Sequence, residues 1–229
     1  FYDSSEAVVD AAEWMPSLSN LTMIIHRQIP LSTFERIARL PRLERLACYF
    51  NGDSRQMPEI ARAYAELRRA GRLKRLELTV HNGEQLAALV SPLPDGSPPF
   101  PELRELRIAG SRGIEPDDLD QLMNLPSLIH LELSYSNLTN AHLPHLKQLP
   151  FLRTLYVEAN PHITDEGVAA IASMTQLQTL NIKGTNISAD GLRRLAKLPR
   201  LRCLRAHMGG EARNELRKLL PPRCELDTN

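Results

Sequence analysis

His142 and His145 stand three residues apart in NAHLPHLKQ. That spacing can set two imidazoles on one helix face as metal ligands. No Asp, Glu or Cys joins them locally, and Leu143 and Leu146 already mark a buried face. Both histidines therefore read as solvent-exposed residues on the outer side of a helix. Cys203 and His207 form the other suggestive pair, on alternate positions that face the same way. Nucleophilic catalysis by such a pair needs an orienting third group and an oxyanion site as well. There is no P-loop, and no glycine-rich dinucleotide motif follows a strand. Neither a cofactor nor a metal is expected.

Charge narrows the field further. In 229 residues, 28 Lys and Arg nearly cancel 27 Asp and Glu, so the strong basic excess of a nucleic-acid binder is missing. The distribution is uneven: residues 35–75 hold eleven basic side chains against five acidic ones. Arg36, Arg39, Arg42, Arg45, Arg62, Arg68, Arg69, Arg72, Lys74 and Arg75 are spread around helices and strand starts rather than aligned in one groove. Nucleic acid is thus the weaker alternative. The three cysteines, Cys48, Cys203 and Cys224, are odd in number and scattered, which favours a reducing, cytoplasmic setting over a disulfide framework. No apolar run approaches the roughly 20 residues of a membrane span, and no signal-peptide pattern occurs. The chain opens on Phe1 rather than Met, so a removed leader or upstream domain stays open.

The elements that must position these residues follow a period. L-x-x-L-x-(L/V/I) begins at Leu128, Leu152 and Leu177, and the register extends to Leu18, Leu43, Leu73, Leu103 and Leu201. Successive spacings are 25, 30, 30, 25, 24, 25 and 24 residues. A period of this size marks a solenoid, in which each unit buries its apolar face against its neighbours. Positions one, four and six are apolar because a short strand sends alternate side chains into the core. Cys48 sits at position six and reads as a packed thiol.

These motifs resemble the leucine-rich repeat family over nearly the whole chain. The likeness is to bacterial and ribonuclease-inhibitor-like repeats of 24–25 residues, with true convex helices, more than to the extracellular plant type. It implies a right-handed α/β solenoid, a horseshoe arc with a parallel concave sheet and convex helices. The family prefers Asn at position nine to bond the adjacent turn. Here that position holds His26, Asn51, His81, Ser111, Ser136, Asn160, Thr185 and Gly209. The family rarely supplies the extra groups a Cys–His nucleophile needs.

Residues 1–17 read as an N-terminal capping helix or a truncated first repeat, with the helix over 3–15. Residues 18–210 carry the repeats, and 211–229 a capping helix and half-strand with Cys224 or Leu226 facing in. Thr164 and Ser188 are candidate helix N-caps. Two units are longer: one gains a helix from about Pro58 to Ala70, the other the Pro- and Gly-rich loop 91–101, a recognition loop or a tolerated insertion.

Stacked strands align the variable positions into a concave surface, where solenoids bind. The candidate contacts are Tyr49, Arg75, Glu77, Arg107, His130, Glu132, Tyr156, Glu158, Lys183 and Arg205. Tyr and Arg are frequent interface anchors, and alternating charge sets a partner's register. The expected role is a monomeric, non-catalytic module that binds another protein, with no membrane partner. The alternative is the substrate-recruiting arm of a larger enzyme, a bacterial effector or a ubiquitin-ligase adaptor.

Overall fold

Apolar side chains at every second position give each strand one dry face, and burial follows that alternation. Strand β1 (Asn20–Ile25) alternates exposed and buried along its length. Leu46, Leu76, Leu106, Leu131, Leu155, Leu180 and Leu204 are all buried at position four of successive repeats. The computed structural model describes residues 9–10, 15–25, 31–50 and 60–228. They form two compact units, Phe1–Ile108 with Gln121–Leu128, and Ala109–Asp120 with Ile129–Asn229. The expected helix over 3–15 lies outside the described residues except for Val9 and Asp10, which are helical, and Met15, which is not. His26 and Asn51 of the position-nine column also lie outside them.

In the first unit β1 is followed by α1 (Leu31–Ala38), β2 (Arg45–Phe50), α2 (Ile60–Leu67), β3 (Arg75–Leu78), α3 (Gly83–Val90) and β4 (Glu105–Ile108). The strands pair in parallel and in sequence order, with Asn20, Arg45, Arg75 and Glu105 in one row. The strand starts share a bonding pattern. The amides of Glu44 and Arg45 donate to Ser19 O, those of Lys74 and Arg75 to Glu44 O, and those of Arg104 and Glu105 to Lys74 O, at 2.7–3.1 Å. Helix α2 buries Ile60, Ala63, Tyr64 and Leu67 at the spacing of one helical face. It ends earlier than expected: residues 68–69 form a turn and Ala70 is past it, while Pro58 lies outside the described residues. Asn82 caps α3 by accepting from Gln85 N at 2.9 Å.

The second unit contains β5 (His130–Glu132), α4 (Leu143–Leu146), β6 (Thr154–Tyr156), α5 (Val168–Ala172), β7 (Thr179–Asn181), α6 (Ala189–Leu195), β8 (Cys203–Arg205), α7 (Gly210–Leu219) and β9 (Glu225–Asp227). These strands also pair in parallel, from β5 to β9 in order. Ahead of α4 the chain makes a 3₁₀ turn at Asn140–His142, shorter than the helix expected there. Asn140 is held by the next repeat, its Oδ1 accepting from Thr164 N at 2.9 Å and its Nδ2 donating to Thr164 Oγ1 at 2.8 Å.

Asn160 is the buried hub of this unit. Its Nδ2 donates to Leu133 O (3.0 Å) and Val157 O (2.9 Å), and its Oδ1 accepts from Ser136 N (3.1 Å) and Leu138 N (2.9 Å). Ser136 does part of the same work one repeat earlier, accepting from Ser111 N at 3.2 Å. Position eight turns the chain out of β4, β5, β6 and β7 in the left-handed region, at Gly110 (φ 76°), Tyr135 (60°), Ala159 (54°) and Gly184 (67°). Among the described residues no helix is long and apolar enough to cross a membrane.

Candidate functional site

The solvent-facing side of the strands gathers the residues expected to bind, separately in each unit. In the first unit Ile24 pairs in register with Tyr49, and Ala47 with Glu77, which in turn pairs with Arg107. The Tyr49 hydroxyl donates to Glu77 Oε1 at 2.6 Å. Burial and then the Glu77 carboxylate push the Tyr49 phenol up to about 12, while the Arg107 and Arg75 charges pull it down. Arg75 bridges Glu77 at 3.7 Å and Glu105 at 3.5 Å. Beside this network lies a cavity of about 250 Å³, lined by Asn20, Thr22, Arg45, Ala47, Tyr49 and Glu77 among others. Ile24 is 55% exposed and Tyr49 40%, so two apolar side chains stand in water on adjacent strands.

In the second unit Glu132, Tyr156, Asn181, Arg205 and Asp227 form one row across β5 to β9. The His130 ring meets Tyr156 edge-on, centroids 5.0 Å apart at 65°. The Arg205 guanidinium carbon lies 5.5 Å from the same ring's centroid. Tyr156 also does most to raise the Arg205 pKa, with Cys203 and Asp227 adding to it. Lys183 Nζ reaches Asp227 Oδ2 at 3.0 Å, and Arg205 Nε lies 3.6 Å from the same oxygen. Glu158 accepts from Asn181 Nδ2 at 2.8 Å and, more weakly, from the Tyr135 hydroxyl at 3.5 Å.

Two side chains here, Asp227 and Tyr135, escaped the sequence reading. Asp227 closes the network from the last strand, 44 residues from Lys183. Tyr135 is 58% exposed on a left-handed backbone where two of the other three repeats use glycine. That column was the available signal, because a bulky residue rarely holds φ near +60° without cause. Ile24 falls in the right column, but its exposure follows from its place on β1.

The candidate chemistry at the histidines resolves differently from expectation. His142 is not exposed: it is 5% accessible and caps its own turn. Its Nδ1 accepts from Thr139 N at 3.0 Å, so the protonated Nε2 donates to Ile114 O, also at 3.0 Å. Both ring nitrogens are thereby engaged, which leaves neither for a metal. His145 points elsewhere, with Nδ1 at 2.8 Å from Asp120 Oδ1. Among the described residues no three His, Cys, Asp or Glu side chains gather as a metal site. No hydrogen bond joins Cys203 to His207 there either, and Cys203 lies beside Arg205 instead. Ser188 does cap α6, accepting from Asp190 N and Gly191 N. Thr164 stands three residues ahead of the N-cap of α5, Gly167; its hydroxyl accepts from Asn140 Nδ2 at 2.8 Å and, more weakly, from Glu166 N at 3.4 Å in the turn that leads into the helix.

A family model described as "Leucine Rich repeat" matches residues 148–172 and 173–196. Among solved structures the chain is similar to an internalin (InlF) from Listeria monocytogenes strain 4b F2365, with TM-score 0.54 and 19% identity over 86% of this chain and 56% of that one. It is also similar to Listeria monocytogenes InlP, with TM-score 0.51 and 17% identity over 87% and 52% of the two chains. The chain thus spans about half the length of the solved structures it matches, and at these identities the likeness is one of fold. Comparison with curated proteins gives no match. With its period, its parallel strands and the turn centred on Asn160, the chain carries leucine-rich repeats over residues 148–196 and has the leucine-rich-repeat fold, an α/β solenoid of strands backed by short helices.

Proposed function

We propose that the chain is a non-catalytic protein-interaction module that takes a partner protein on the solvent face of its strands. The observation that carries this reading is the Ile24–Tyr49 pair beside a cavity of about 250 Å³. Exposed apolar side chains ringed by Arg45, Arg75 and Glu77 have the makeup of an interface core with a polar rim. In the second unit the anchors are Tyr156 and Tyr135, with Glu158 between polar neighbours. Glu132, Lys183 and Arg205 supply register there. The free thiols of Cys48, Cys203 and Cys224 fit a reducing, cytoplasmic setting.

The test compares strand-face and helix-face changes against one binding protein, by calorimetry. Tyr49→Ala and Tyr156→Ala should each weaken binding about tenfold or more. Leu219→Ala, on exposed helix α7, should leave it unchanged. The reverse pattern would place the interface on the helices and sink the reading.

A further inference from the structure

A second cavity, larger than the one on the strand face, lies where the chain turns into the last two strands. It has a volume of about 550 Å³ and is walled by Gln178, Arg200, Arg202, Pro221, Pro222 and Arg223, with Pro199 and Leu201 behind. Its backbone is firmly held. Arg202 N and Cys203 N donate to Gln178 O at 2.7 and 3.0 Å, Glu225 N donates to Arg202 O at 2.7 Å, and Cys224 N to Pro221 O at 2.8 Å. Proline at 199, 221 and 222 fixes φ in both flanking segments. The cleft is therefore preformed.

Its charge is unbalanced. Arg200, Arg202 and Arg223 are exposed, and among the described residues none makes a side-chain hydrogen bond or ion pair. By contrast, the cations on and beside the strand face are paired: Lys183 and Arg205 share Asp227, and on α6 Arg193 meets both Asp190 and Glu215. Three arginines without an acidic partner line this one hollow, so an anion seated in it would meet positive charge from several sides. Planar guanidinium forks match the oxygens of phosphate and sulfate, to which they donate paired bonds. The volume falls within the roughly 300–1,000 Å³ of small-molecule sites, well short of the long track a polymer needs. Gln178 adds an amide for a neighbouring hydroxyl or ester oxygen, and the prolines offer an apolar wall for a carbon skeleton.

We propose that this cleft binds a small phosphorylated or sulfated molecule, its dianionic group held by Arg200, Arg202 and Arg223. The site is separate from the strand face, so it stands or falls independently of the partner-binding reading.

The test uses inorganic pyrophosphate and sodium sulfate as probes, with sodium chloride at matched ionic strength as reference. Calorimetry and thermal unfolding are the readouts. Pyrophosphate, sulfate or both should bind and raise Tm beyond the chloride reference, and the stronger of the two identifies the ester class. The double variant Arg202→Gln/Arg223→Gln should bind the probe about tenfold more weakly or worse. Its anion-free Tm should equal or exceed that of the parent, because neither arginine gives up an ion pair among the described residues. Should the double variant unfold early, the singles Arg200→Gln and Arg202→Gln give the same comparison. Lys147→Gln, on an exposed lysine elsewhere in the unit, should bind like the parent. The proposal is overturned if neither probe stabilises beyond chloride, or if the arginine variants keep full affinity. It is equally overturned if an oligothymidylate of about 12 nucleotides binds and pyrophosphate does not displace it, which would make the arginines part of a nucleic-acid track.

Discussion

Asn160 shows how much of this fold rests on single polar side chains. One buried amide satisfies two backbone N–H groups and at least two carbonyls from two consecutive repeats. Truncation leaves those groups buried without partners, at about 1–3 kcal/mol each before relaxation. Asn160→Ala should therefore lower unfolding free energy by about 3–4 kcal/mol in urea denaturation. A loss under about 1 kcal/mol would mean that water or Ser136 can replace the amide. His142 is the residue where sequence reasoning went furthest astray. Its neighbours indicate a helix surface, yet the carbonyl that buries it, Ile114 O, comes from 28 residues away. Such a partner leaves no local trace.

Among the elements, the 91–101 segment best separates pattern from outcome. Its prolines and glycine announce a constrained loop, and Gly96 does take a left-handed φ of 81°. Asp95 accepts from Ser97 N at 2.9 Å and from its hydroxyl at 2.6 Å, which tightens the bend and holds the Asp95 carboxyl below its usual range. At its far end Pro99 and Phe100 are buried in the core. What the composition hides is the clamp: Arg68 Nη1, just past α2, donates to Ser91 O at 3.0 Å and Pro92 O at 3.1 Å. Removing these charge-assisted bonds should cost about 1–2 kcal/mol. More specifically, Arg68→Ala should speed limited proteolysis between residues 92 and 98. Unchanged cleavage would show that the Asp95 turn and the prolines hold the loop alone. A comparable cross-repeat link joins Asp165 to the amide and hydroxyl of Ser188, ahead of α6.

At the scale of the molecule, the two units differ in their buried titratable groups. The first holds Cys48, fully buried, whose thiol is pushed from 9.0 up to about 12 by burial. Beside it Tyr64 is raised well above 10.0, also by burial, and donates to Thr79 O at 2.5 Å. The sign follows from where the proton goes. Above pH 9 the unfolded thiol releases its proton while the folded one keeps it, so stability falls as pH rises towards 12. The loss from Cys48 alone should reach about 1.4 kcal/mol between roughly pH 8 and pH 10. Urea midpoints should fall over that range in the parent and fall less in Cys48→Ala. Parallel curves for the two proteins would show that Cys48 ionises freely in the folded state.

The sequence by itself determined the repeat, its register and the dry face of every strand. The alternation of β1 and the row of buried leucines from Leu46 to Leu204 follow from the pleat, which acts on neighbouring residues. It also determined which columns face solvent: Tyr49, Glu77, Tyr156 and Arg205 stand on the strand face because their positions are odd. Only the tertiary structure decided which of these side chains are spent on each other. Tyr49 on Glu77, Lys183 on Asp227 and Arg205 against Tyr156 join residues 28, 44 and 49 apart, across strands brought together by folding. Charge pairing falls off over a few ångströms and depends on rotamers that no spacing specifies. For the same reason the three arginines of the terminal cleft looked like ordinary surface charge in the chain. Their convergence around one hollow exists only in the fold.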